Sequence, residues 1–101
     1  MICGIATIKA KTGQRQALLA CIRDNLSNVH AEVGCVEYHP MVDAESSLGA
    51  QALDKDSVVM VEQWKIMSDL NAHSVTPHML DYREKVKVIV ENVSLKVLTS
   101  A

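Results

Sequence analysis

The chain of 101 residues predicts an α+β fold of the ferredoxin-like kind, a four-stranded antiparallel sheet with helices on one face. Two observations point there. Stretches rich in β-branched residues alternate with stretches of helical period in the order β-α-β-β-α-β, with one small extra helix before the second long one. Apolar residues also stand on both faces of the third strand, Val58 and Met60 against Val59 and Val61, so both faces call for cover. Helices supply one cover, and a second copy of the same sheet is the simplest other. The expectation is one domain over residues 1–101 that forms a homodimer through its sheet face.

The elements follow from local chemistry. Ile2 to Lys9 is β-branched and reads as a strand, ended by Thr12-Gly13. Gln14 to His30 reads as a helix, because Leu18, Ile22, Leu26 and Val29 recur at helical spacing with Arg15, Arg23 and Asp24 on the other side. Gly34 marks a left-handed turn. Cys35 to Val42 is the second strand, with Val36 and Tyr38 on one face and Cys35, Glu37 and His39 on the other; Pro40 points to an edge position or a bulge.

Residues 43–56 form a long polar connection without a clear period. Ser57 to Trp64 is the third strand. Ser68 caps a short helix, Asp69 to His73, and Thr76 caps a second, with Pro77 at its first position and an end near Val90. Val93 to Thr99 is the last strand.

Composition narrows the function. A formal net charge of −2 with scattered Lys and Arg argues against nucleic acid as a partner. No apolar run reaches membrane-spanning length. Three cysteines without CxxC spacing, and an N-terminus without a leader pattern, predict a soluble cytoplasmic protein without disulfides. With no Phe and five Met, any pocket is lined by Met, Val, Leu and Ile, Met60 among them.

The chemistry-bearing stretch is Glu62-Gln63-Trp64 followed by His73-Ser74-Val75-Thr76-Pro77-His78. Glu62 and Trp64, at i and i+2 of a strand, share a face. If helices cover that face, Glu62 is a buried acid that needs a partner, and acids, imidazoles and an indole brought together suit a small-molecule pocket. A connection of only Lys65 to Met67 returns the short helix over the strand end, so Glu62, Trp64 and His73 are expected around one cavity. The plainer alternative makes Trp64 core packing and Glu62 a structural hydrogen bond. His39, His78 and Arg83 are further candidates for contact with a ligand, although the face of His39 is open at this level and Arg83 can equally lie along the helix surface. A zinc site from His73, His78 and a carboxylate lacks the HExxH spacing. No Gly-rich phosphate loop, haem-linking CxxCH or closed Cys/His set is present, so no flavin, haem or metal cofactor is expected.

These motifs resemble the antibiotic biosynthesis monooxygenase family of the dimeric α+β barrel group. The matching features run through Lys11-Thr12-Gly13, Gly34-Cys35-Val36-Glu37-Tyr38, Val61-Glu62-Gln63-Trp64, Leu70, Ala72-His73 and Thr76-Pro77-His78. The resemblance implies a homodimer and oxidation of a small quinol-like or enolisable metabolite by O2 without metal or flavin. His73 would be the base, Glu62 its orienter, and Trp64 a wall. A haem-degrading branch carries Trp and His where His73 and Arg83 stand here, which disfavours haem. A polyketide-oxidising branch lines its pocket with aromatic side chains and an Arg; Trp64 and Arg83 match, but the absence of Phe disfavours a large flat aromatic substrate. The competing class is a ligand-binding or sensing module on the same fold, without turnover.

Overall fold

The computed structural model describes residues 1–101. Four strands, β1 (Ile2–Ala10), β2 (Cys35–Met41), β3 (Ser57–Trp64) and β4 (Val90–Leu98), form one antiparallel sheet in the order β2-β3-β1-β4. Three helices, α1 (Arg15–His30), α2 (Met67–His73) and α3 (Pro77–Val86), complete the expected ferredoxin-like order. Pro40 lies on the edge strand β2, where a missing amide donor costs the sheet least.

Helix α1 buries Leu18, Leu19, Ile22 and Val29, its apolar stripe, against β2 and α3. An imidazole secures its last turn: His30 Nε2 lies 2.7 Å from the Tyr38 carbonyl oxygen. On β3, Val58, Met60, Glu62 and Trp64 all face the helices and are buried. Opposite them on β1 stand Ile8, Ala6, Gly4 and Ile2 in register. Gly4 and Ala6 are small, which leaves space above the sheet centre where the helices do not press down.

Three local expectations change. The register shift between Cys35 and Glu37 is a bulge that sets Cys35 opposite Trp64 and Tyr38 opposite Glu62. The extra residue breaks the alternation, so Cys35 packs against the core on the same side as Tyr38 and not with His39. Helix α2 begins at Met67, one residue before Ser68, behind an extended Ile66 with no side-chain cap. Helix α3 stops at Val86, and Lys11 N–H donates to the Ile89 carbonyl oxygen (2.8 Å) just before β4 begins at Val90. The Thr76 cap is as expected: its hydroxyl accepts from Met79 N at 3.3 Å, with Pro77 at the first position.

The other sheet face carries Ile5, Val59, Val61 and Gln63, each half-buried with no helix over them. No helix is long and apolar enough to cross a membrane.

Candidate functional site

A cavity of about 430 Å³ opens between the sheet and helices α2 and α3. Its wall is mostly apolar: Ala6 and Ile8 from β1, Met60 from β3, Val93 and Leu95 from β4, Met79 and Val86 from α3. Into it reach Glu62, His73, Tyr38 and Tyr82, with Arg83 and Lys87 contributing positive charge. The guanidinium of Arg83 is anchored at one point, where Nη1 donates to the Ser74 carbonyl at 2.6 Å.

The strand period puts Glu62 and Trp64 on one face, and tertiary packing closes a contact between them. The Trp64 indole N–H donates to Glu62 Oε1 at 3.0 Å. Trp64 is fully buried and lies behind the cavity surface. Its ring supports His73, with centroids 4.7 Å apart and planes tilted by 37°. Tyr38 meets the same imidazole edge-on at 5.2 Å. His73 is thus clamped by two rings, in a pocket that leaves it 4% exposed.

A residue that sequence reasoning missed completes the cluster. Glu32, just past the end of α1, lies with its Oε2 2.8 Å from His73 Nδ1. The same oxygen is 3.1 Å from His78 Nε2, but off the line of a hydrogen bond, and both ring nitrogens of His78 are buried without a hydrogen-bond partner. One signal was available. An acid at a helix C-terminus faces the negative end of the helix dipole, so it needs a compensating partner. No three His, Cys, Asp or Glu side chains are arranged to hold a metal ion.

The other candidates separate. Met60 and Arg83 reach the cavity, whereas His78 sits behind Glu32 and borders a small polar cleft with Asp24 and Asp81. His39 projects from the opposite sheet face, exposed, and does not enter the cavity. Tyr38, whose face the sequence left open, points inward.

Burial dominates the electrostatics. It pushes the Glu62 carboxyl above the ordinary carboxylate range; the Trp64 N–H and a charged His73 oppose this, while Glu32 adds to it. Burial raises the Tyr38 phenol far above its usual value, with Glu62 adding, and raises Tyr82 to about 12. The Cys35 thiol is pushed up by burial and by Glu32 and Glu62, which suits a packing residue and not a nucleophile.

The sequence model of the antibiotic biosynthesis monooxygenase family matches residues 1–85. The chain belongs to this family. It is 40% identical over 100 residues to YgiN of Escherichia coli K12, a probable quinol monooxygenase, across 97% of this chain and 96% of that protein. In three dimensions it resembles PA3566 from Pseudomonas aeruginosa at a TM-score of 0.82 and 28% identity, covering 99% of this chain and 93% of that one. Rv0793 from Mycobacterium tuberculosis matches at a TM-score of 0.81 and 26% identity, covering 99% and 94%. Family membership fits monooxygenase chemistry, and within this family member the cavity is where the buried acid and the clamped imidazole meet apolar space.

Proposed function

We propose that this chain is a monooxygenase that oxidises a small quinol-like or enolisable metabolite with O2 and needs no metal or flavin. The observation that carries the reading is an imidazole and a buried carboxyl facing an apolar cavity large enough for a small ring. In this reading His73 removes a proton from the substrate hydroxyl or α-carbon. The electron-rich anion then reduces O2. One oxygen atom enters carbon, the other leaves as water, and all four electrons come from the substrate. For a quinol the balance is one quinol and one O2 to one hydroxyquinone and one water. Apolar walls favour the flat neutral substrate and keep bulk water from its anion. Burial shifts Glu62 toward its protonated form, and in that form the carboxyl can donate a hydrogen bond to the developing oxyanion. The 40% identity to a probable quinol monooxygenase supports the substrate class.

The reading includes a homodimer formed through the bare sheet face, which would bury Ile5, Val59 and Val61 and leave the cavity on the outer, helical side. Three unpaired cysteines fit a reducing, cytoplasmic setting.

Oxygen uptake with a panel of quinols tests the chemistry. Wild type should consume O2 in a 1:1 ratio to quinol, and His73→Ala should lower kcat by about 100-fold or more, the usual worth of a positioned base. Absence of uptake with every quinol, together with a rise in Tm with some of them, would instead establish a binding module. Light scattering of wild type and Val61→Lys tests the dimer, since a buried lysine on that face should leave a monomer.

A further inference from the structure

We infer that Glu32 is the positioning residue for His73: it accepts the Nδ1 proton and so leaves Nε2 as the basic nitrogen available to the cavity. The inference rests on the reading of His73 as the base and adds a residue that the strand and helix motifs did not contain.

Three observations carry it. The contact between His73 Nδ1 and Glu32 Oε2 is 2.8 Å, a length typical of charge-assisted hydrogen bonds, and its two side chains are 6% and 12% exposed. A carboxylate can only accept, so the proton of that bond sits on the imidazole Nδ1, and in the neutral ring the lone pair therefore sits on Nε2. Trp64 and Tyr38 hold the plane of the ring, but neither of these ring contacts selects which nitrogen carries the proton. Only Glu32 does that among the groups bonded to it.

The location of Glu32 strengthens the assignment. It stands beyond the last turn of α1, where the helix dipole disfavours a negative charge. Two imidazoles converge on its Oε2, and only His73 does so along a hydrogen-bond line. The position is unfavourable unless a cation or donor compensates it, and His73 supplies both functions in turn. As His73 takes the substrate proton at Nε2, the ring becomes positive, and Glu32 stabilises that charge while keeping its own; no proton passes to Glu32.

The test follows the tautomer and the kinetics separately, in the full chain. Nitrogen-15 imidazole NMR, with His73 assigned among the four histidines by single His→Ala variants, reads which nitrogen is protonated. Wild type should show protonated Nδ1 and bare Nε2. In Glu32→Gln the carboxamide N–H₂ can donate to Nδ1, so the proton should move wholly or partly to Nε2. Oxygen uptake should then fall in kcat by tenfold or more with KM changed less than threefold, and Glu32→Asp should restore the wild-type tautomer and part of the rate. Protonated Nε2 in wild type overturns the inference. So does an unchanged tautomer in both Glu32→Gln and Glu32→Ala, or a loss expressed in KM alone. If wild type shows no uptake while the tautomer still depends on Glu32, the oxygenase reading fails and the positioning role stands.

Discussion

The indole nitrogen of Trp64 donates to the carboxyl of Glu62, two residues earlier on the same face of β3, at 3.0 Å. Neither side chain has a better partner: the acid is 6% exposed and the indole is fully buried. Trp64→Phe removes the donor while keeping a ring under His73. The expected loss is roughly 2 kcal/mol or more, since a buried polar group left without its partner costs about 1–3 kcal/mol and the smaller ring adds a void. Urea unfolding measures it. In the double variant Trp64→Phe/Glu62→Leu the two losses should be clearly non-additive.

Glu62 should give the protein a recognisable pH signature. Burial raises its folded carboxyl above the unfolded value near 4.5, so the folded state holds the proton more tightly. That contribution to stability is complete below pH 4.5 and declines as pH rises towards the folded value. Glu62→Gln cannot ionise and escapes the decline. The stability of Glu62→Gln relative to wild type should therefore rise with pH from about 4.5 and then level off, by about 1.4 kcal/mol per unit of displacement. A difference that is flat with pH would contradict the raised carboxyl.

Both tyrosines of the chain face the cavity, so ultraviolet titration reads the site directly. Tyr82 is raised to about 12 and Tyr38 further, chiefly by burial. The native protein should show almost no tyrosinate absorbance at pH 10, where unfolded chains are half ionised. The same linkage works on stability: the contribution is intact below pH 10 and is lost as pH rises through the raised values. Tyrosinate should appear together with unfolding, and in 6 M urea at the ordinary pH near 10.

Gly34→Ala should destabilise the chain by roughly 2 kcal/mol or more, a backbone and a steric cost together. Gly34 holds φ at +79°, and a Cβ there would overlap the Asp69 carboxylate and come within 2.7 Å of Asp69 Cβ. Because Asp69 lies on α2, which ends in His73, the clash also displaces the imidazole. Gly34→Ala/Asp69→Ala should recover the carboxylate share of the steric cost and keep both the Asp69 Cβ contact and the backbone part, as thermal unfolding of the four proteins would show.

Much of the site can be read from local chemistry. Glu62 and Trp64 share a face because strand side chains alternate, and His73 returns because so short a connection leaves α2 nowhere else to go. Glu32 escaped this logic because it belongs to no periodic element and meets His73 across 41 residues of sequence. Proximity in sequence groups His78 with His73, whereas space relates them through Glu32. Alternation alone puts Cys35 on the face of His39, whereas a bulge adds one residue that alternation does not count and turns Cys35 to the core side.

The sequence by itself determined the order of elements, the shared face of Glu62 and Trp64 on β3, and the kinship signalled by its Gly-Cys, Glu-x-Trp and Thr-Pro-His motifs. These depend on backbone periods and steric preferences that act within a few residues. Only the tertiary structure decided that Tyr38 turns inward, that His39 turns away, and that Glu32 reaches His73. Those outcomes depend on how the end of α1, the bulged β2 and the short α2 pack onto one sheet, and close packing between distant segments is a property of the whole chain.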